Sequence, residues 1–434
     1  MKKKLLSLVA LVTMATSFAQ FTTQNANIPL QSAGVRDFHV VSTDVAWVHF
    51  YDGSGNQTYP RYVGVTTNGG NNWTTRLVSN IPASGMVSDI YGFDADKAFI
   101  VTAPASGSTA NGLWKTTDGG ASWAKQTGVF SSASFGNIVH FFNSTNGLVI
   151  GDPVNNKYEM YKTTDGGNTW TTLATAPVPL NADEYGYVGG KVSFGEHLWL
   201  TSNTGRILHT ANQGATWDSY FSPIDDFAGA ESSGTMSFSS ATYGLLVDNN
   251  GWLWYTEDGG ANWDIKDAVN YYNGDVKYIP GTSNSFITTG IAVDSTLGLG
   301  TAYSTDGGNT WINIDSGLQR GSIGVLDAST VYVGEFTSDA TGTGGILKLN
   351  DNVLATDEQA TTKKVELKAV INNKALNIIS NKAIASTVVA DVTGRKIVEA
   401  KGNNVNVANL TPGVYIARVA YADGAFGTVK FVVK

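Results

Sequence analysis

Along residues 138–173 the chain runs in short apolar stretches broken by small polar ones. Residues 138–142 (IVHFF) are followed by polar 143–146, then by 147–150 (GLVI). After a further loop come 158–162 (YEMYK) and 171–173 (TTL). Runs of β-branched and aromatic residues separated by Asn, Gly, Asp and Ser predict β-strands joined by turns. No stretch sustains a 3.6-residue apolar period, so helices are expected to be scarce.

The pattern repeats. An eight-residue phrase close to TTDGGxxW begins at Thr66, Thr116, Thr163, Thr210, Thr256 and Ser304, giving steps of 50, 47, 47, 46 and 48 residues. A regular period in this range predicts one supersecondary unit used repeatedly, and four short strands per period is the unit of a β-propeller blade. Within the phrase, Asp165 is expected to accept hydrogen bonds from backbone N–H groups just ahead of it, closing an Asx-type turn. Gly166 and Gly167 supply the φ > 0 conformations that other residues adopt only at a cost. Thr163 is placed to tie the hairpin down from the opposite strand, and Trp170 opens the next strand and buries its ring.

These phrases resemble Asp boxes, the bacterial-neuraminidase repeat. Such boxes occur in sialidases, some glucan-cleaving propellers, sortilin-like receptors and photosystem assembly-factor-like propellers. The resemblance implies a structural clasp at the blade rim, away from the ligand face. It assigns that role to Asn68 and Trp73, Asp118 and Trp123, Asp165 and Trp170, Asn212 and Trp217, Asp258 and Trp263, and Asp306 and Trp311.

Downstream of the sixth box, 322–326, 330–333 and 345–348 repeat the first three strands of a unit, and 349–352 (LNDN) resembles a degraded seventh box. The fourth strand of that unit is missing there. At the other end, Phe21-Thr22-Thr23…Ile28-Pro29…Val35-Arg36-Asp37 parallels Trp73-Thr74-Thr75…Ile81-Pro82…Val87-Ser88-Asp89, so Phe21 stands where a box Trp would. The expectation is a seven-bladed ring over residues 20–351, closed by the Phe21–Asn25 strand, which would protect an otherwise open sheet edge.

Residues 352–365 are polar and read as a linker. Beyond them, residues 366–434 carry further short strand-like runs, which predict a small β-sandwich. Three motifs there, 391–395 (DVTGR), 410–415 (LTPGVY) and 430–434 (KFVVK), resemble the type A sorting domain of the type IX secretion system. The family's usual Pro-Asn-Pro stretch is replaced by Lys368-Ala369-Val370-Ile371. That resemblance implies the secretion machinery as a partner, with a product released or anchored at the cell surface. The chain start agrees with it. Lys2, Lys3 and Lys4 precede an apolar core and Ser17-Phe18-Ala19, a pattern that predicts a signal peptide over 1–19 cut after Ala19. No other apolar run approaches the length a spanning helix needs.

There is no cysteine, so neither disulfides nor thiol chemistry enter. Residues 20–350 hold 14 Lys+Arg against 29 Asp+Glu, a net of −15, whereas 351–434 hold 11 against 7, a net of +4. An acidic body argues against nucleic acid and against anionic membrane surfaces.

Propeller ligands sit over the channel, on loops opposite the box hairpins. The longer of these loops hold Asp152, Asp183, Glu184, Tyr185, Tyr187, Asp225, Asp226, Phe227 and Glu231. Paired carboxylates among them would suit glycoside hydrolysis, tyrosine rings would stack on sugars, and clustered carboxylates would equally suit calcium. Solvated acids and loop-packing aromatics are the simpler reading of the same residues. Sialidase chemistry needs three arginines on a substrate carboxylate, and the propeller region has only Arg36, Arg61, Arg76, Arg206 and Arg320, without a Phe-Arg-Ile-Pro-like motif. The stretch 147–154 (GLVIGDPV) ahead of a box, with Glu184 in the next connection, is similar to photosystem assembly-factor-like propellers, which resemble scaffolds more than enzymes. The five histidines are scattered, so no metal or other cofactor is expected. The reading at this stage is a non-catalytic binding module for glycan or protein, with glycoside hydrolysis at the acidic mouth as the alternative.

Overall fold

The computed structural model describes residues 20–434, apart from 57–58, 105–109, 132, 231, 292–297, 351–353, 355–366, 373, 393, 423–425 and 434. The predicted signal peptide, Glu231 and most of the predicted linker therefore lie outside the described residues. Every regular element described is a β-strand.

The described strands before residue 350 form seven four-stranded antiparallel groups, of which the first and last are joined through the single pair Gly34↔Phe336. Sheets 1 to 7 begin with Ala33–Val40, Gly85–Gly92, Gly136–Phe141, Gly186–Phe194, Gly234–Phe238, Asp275–Tyr278 and Ile323–Asp327. Those first strands lie side by side from each sheet to the next, and the seventh returns to the first. Sheets 1 to 6 are each built from consecutive strands, but sheet 7 is not. Its fourth strand is Phe21–Asn25, which pairs antiparallel with Gly344–Leu349 from Phe21↔Leu349 to Asn25↔Gly345. The register matches that of a boxed sheet, where Trp73 opposes Thr66. Phe21 thus occupies the place of a box Trp, and the chain's start closes the ring.

The boxes explain why each sheet ends as it does. Thr163 Oγ1 accepts the Gly167 N–H at 2.9 Å and donates to Asp165 Oδ1 at 2.8 Å. The same Oδ1 accepts the N–H groups of Asn168 and Thr169, both at 2.9 Å. Gly166 and Gly167 have φ of 71° and 78°, the left-handed region that glycine enters freely. Asn68 and Asn212 build the same turn without a charge, each accepting the N–H four residues ahead at 2.9 Å.

Box tryptophans reach back onto the preceding sheet. Trp123 packs edge-on against Trp47, Trp170 against Phe99, and Trp73 against Tyr332 of sheet 7. Trp73 also donates from Nε1 to Gln24 Oε1 at 2.9 Å, which ties the first box to the closing strand. Trp73, Trp123 and Trp311 are buried, whereas Trp170, Trp217 and Trp263 are half-buried.

After residue 366 come two further sheets. One holds Leu367–Asn372, Ala375–Ser380 and Asn404–Asn406; the other holds Lys396–Lys401, Ile384–Asp391, Gly413–Tyr421 and Phe426–Val433. They enclose a core that includes Leu376, Ile378, Val389, Val405, Tyr415, Ala417, Val419 and Phe431.

Candidate functional site

On the face opposite the boxes, the connection from sheet 3 to sheet 4 is wrapped around one carboxylate. Arg206 Nη1 donates to Glu184 Oε2 at 2.8 Å and to the Val178 carbonyl at 3.1 Å, while its Nε reaches Ser219 Oγ. Thr204 Oγ1 donates to Glu184 Oε1 at 3.2 Å, and the Leu180 N–H donates to Oε2. The two charged side chains are only 10% and 0% exposed. Removing one member of so buried a pair strands the other, a loss of about 3–5 kcal/mol. With the acid turned inward, the connection points apolar groups outward: Val178 is 55%, Leu180 52% and Tyr185 43% exposed.

The other sequence candidates also act on the chain itself. Asp152 accepts Asn137 Nδ2 at 2.7 Å and the Gly186 N–H at 3.0 Å, joining sheet 3 to the first residue of sheet 4. Burial pushes its carboxyl up to about 6, against the pull of those hydrogen bonds. Tyr187 donates to Asp226 Oδ1, which also accepts the Ala228 N–H at 3.0 Å, so this pair joins sheet 4 to the next connection. Burial, followed by the hydrogen bond to Asp226, raises the Tyr187 hydroxyl well above its ordinary value. Tyr185 meets Tyr187 edge-on at 5.5 Å. Phe227 is buried, as loop packing requires. Asp183 and Asp225 are exposed. Asp225 lines a cleft of about 1000 Å³ between sheet 5 and the C-terminal sheets, together with Trp254, Trp263, Lys396 and Glu399.

A second group escaped sequence reasoning. Lys191 of sheet 4 reaches Asp89 of sheet 2, whose Oδ2 also accepts the Val139 N–H of sheet 3 at 2.8 Å. Asp275 of sheet 6 lies 3.7 Å from Lys277 and accepts the Ile323 N–H of sheet 7 at 3.0 Å. Burial pushes Asp89 up to about 6, and the Lys191 ammonium partly offsets it. Burial likewise holds His39, His49 and His140 at about 3, so these rings are neutral. The signal for Asp37 and Asp89 lay in the matched stretches Val35-Arg36-Asp37 and Val87-Ser88-Asp89, which show a repeated acid on the first strand of a unit. Asp89 and Asp275 each fasten their own first strand to the next one, through Val139 and Ile323. Among the described residues no group of three or more His, Asp or Glu side chains is placed to hold a metal ion.

No family model matches the chain. No curated protein matches it either. Solved structures do. A structure described as YCF48 bound to D1 peptide aligns over 77% of this chain and 98% of its own, at 16% identity and a TM-score of 0.52. YCF48 from Cyanidioschyzon merolae aligns over 75% and 98%, at 15% identity and a TM-score of 0.51. An enzyme described as an ancestral GH74 enzyme aligns more loosely, with a TM-score of 0.43 at 12% identity over 94% of this chain and 63% of its own.

The fold is a β-propeller. Its channel is lined by first strands whose acids hold the ring together, and its variable chemistry lies in the connections. Of the acids singled out there, Asp152, Glu184 and Asp226 already accept hydrogen bonds from the chain. A general acid or a nucleophile has to face a substrate. Glu184 faces Arg206 instead.

Proposed function

We propose that this propeller is an exported binding module whose ligand is a segment of another protein, held on the face opposite the boxes. One observation carries the reading. The connection between sheets 3 and 4 is rigidly anchored by the buried Glu184–Arg206 pair, yet it presents Val178, Leu180 and Tyr185 to solvent. Apolar groups held out on a fixed loop suit apolar side chains of a partner, and preorganisation lowers the entropic cost of binding them. The peptide in the name of the YCF48 structure supports the same reading by fold analogy alone. Glycan is the other ligand class, since Tyr185 offers an exposed ring.

Export rests on the sequence. The basic-then-apolar start and the sorting-domain motifs in residues 366–434 support passage through the type IX machinery to the cell surface or beyond. A reporter fused to residues 352–434, in a host with that system, should appear outside the cell; a reporter retained in the periplasm would remove this part of the reading.

For the ligand class, the purified chain is panned against a displayed peptide library and, in parallel, a glycan array. Enriched peptides that compete for one site support the reading. Glycan binding without peptide enrichment replaces it with lectin function. A second reading, glycoside hydrolysis, rests on the exposed Asp183 and Asp225. Reducing-sugar release from a polysaccharide, lost in Asp183→Asn or Asp225→Asn, would establish it.

A further inference from the structure

The C-terminal sandwich uses both faces of one sheet. In Gly413–Tyr421, Tyr415, Ala417, Val419 and Tyr421 turn into the sandwich core. Ile416, on the opposite face, packs with Ala390 into a different cluster that contains Trp252 and Trp254 of the propeller's sheet 5. A free-standing two-layer sandwich leaves that outer face polar. Here Val388, Ala390 and Ile416 share it with Lys396, Glu399 and Lys430, and with Arg418, which is only 9% exposed.

Arg418 enters the propeller. Its Nη1 donates to the Asn250 carbonyl, and its guanidinium occupies the space that a Cβ on Gly251 would need. Gly251 has a φ of 81°, so the turn that makes this room is one glycine accepts freely. Asp248, beside it, spends its carboxylate on the Trp252 N–H at 2.8 Å and on Trp254 Nε1 at 2.9 Å, which fixes both tryptophans under the sandwich. Further along, Thr428 Oγ1 donates to the Lys266 carbonyl at 3.1 Å, and Val269 forms a β-bridge with Gly427. Lys382 Nζ donates to Asn270 Oδ1 at 3.1 Å.

We propose that the flank of sheet 5 is a built seat for the sandwich, keyed by Arg418, and that the seat keeps the sandwich attached after the connecting segment is cut. The features agree on one occupant. The apolar pair Ile416 and Ala390 packs with two large rings, Arg418 meets a propeller carbonyl, Lys382 meets Asn270, and a bridge aligns the strand edge. The charge balance points the same way: the C-terminal region is net positive and the propeller net negative, as counted from the sequence. The connecting segment is then not what holds the sandwich, and Trp252 and Trp254 stay packed with it for as long as it is seated.

The test uses the full chain with a specific protease site placed within residues 355–366. After cutting, the two fragments are run together by gel filtration at micromolar concentration, and acrylamide quenching of tryptophan is read on the same sample. The cut wild-type protein should co-elute as one species with quenching unchanged. Arg418→Ala should weaken the association at least tenfold and raise quenching. Gly251→Ala, altered from the propeller side, should do the same, so the proposal does not hang on a sandwich that fails to fold. Val432→Asp, at a position 54% exposed on the sandwich, should leave co-elution intact. Wild-type fragments that separate on cutting would overturn the proposal, as would equal weakening by Val432→Asp and Arg418→Ala.

Discussion

The two ends of each sheet obey different rules. At the box end, six hairpins repeat one set of hydrogen bonds: the Gly70 N–H donates to Thr66 Oγ1 at 2.8 Å in the first, and the Gly308 N–H to Ser304 Oγ at 2.8 Å in the last. At the connection end the side chains of the acids are used differently from sheet to sheet. Asp152 joins sheets through Asn137 and Gly186, Glu184 is buried against Arg206, and Asp226 takes a tyrosine hydroxyl. Repetition marks what the ring needs in order to exist. The connection end varies in what it exposes, and there the same acids work as fasteners so that apolar side chains can face outward.

Breaking the ring itself should have the largest effect. Deleting residues 20–25 removes the Phe21–Asn25 pairing and the Trp73–Gln24 bond. With about 1 kcal/mol for each lost hydrogen bond, the loss is on the order of 5 kcal/mol. For a domain of this size that corresponds to a Tm drop of roughly 10 °C by calorimetry. An unchanged melting curve would mean that the ring closes without this strand.

Next comes the buried pair at the connection end. Arg206→Ala should cost about 3–5 kcal/mol by leaving Glu184 buried and unpaired, measured by denaturant unfolding. A cost below about 1 kcal/mol would show that the connection is not anchored by this pair. One box should matter less. Thr163→Ala forfeits the bonds to Gly167 and Asp165, with an expected cost of about 1–2 kcal/mol in the same assay.

Acid separates charged boxes from neutral ones. Hydrogen bonds, first that from Ser122, hold the Asp118 carboxyl down to about 2. A carboxyl held low stabilises the fold above its ordinary value and loses that contribution as pH falls through the lowered one. The Asp118 box should therefore weaken between about pH 4 and pH 2, while the Asn68 and Asn212 boxes, which cannot titrate, should not. Asp118→Asn should flatten acid unfolding over that window; a profile identical to wild type would remove the box from the acid response.

Much of the fold was legible because the boxes carry register. Thr66 opposes Trp73, Leu349 opposes Phe21, and the parallel between the two stretches is visible in the residues themselves. The fate of Glu184 was not legible. Its partner lies 22 residues away, beyond two intervening strands, so nothing local distinguishes it from a solvated loop acid such as Asp183. The channel acids were half-visible: Asp89 echoes Asp37 in sequence, but the reach of Lys191 across an intervening sheet is a property of the closed ring. The burial of the Gly413–Tyr421 strand on both of its sides was hidden for a related reason. A strand buried on both sides reads as one apolar run.

The most direct test is a calorimetric titration of one library-selected peptide into three forms of the chain. These are wild type, a Val178→Asp/Leu180→Asp/Tyr185→Ala variant, and Thr163→Ala. The three substituted loop residues are exposed, so that variant should melt within about 0.5 kcal/mol of wild type. The account predicts that the loop variant loses binding at least tenfold while Thr163→Ala, though less stable, binds as wild type does. Equal affinity for wild type and the loop variant, or loss only in the box variant, would contradict it.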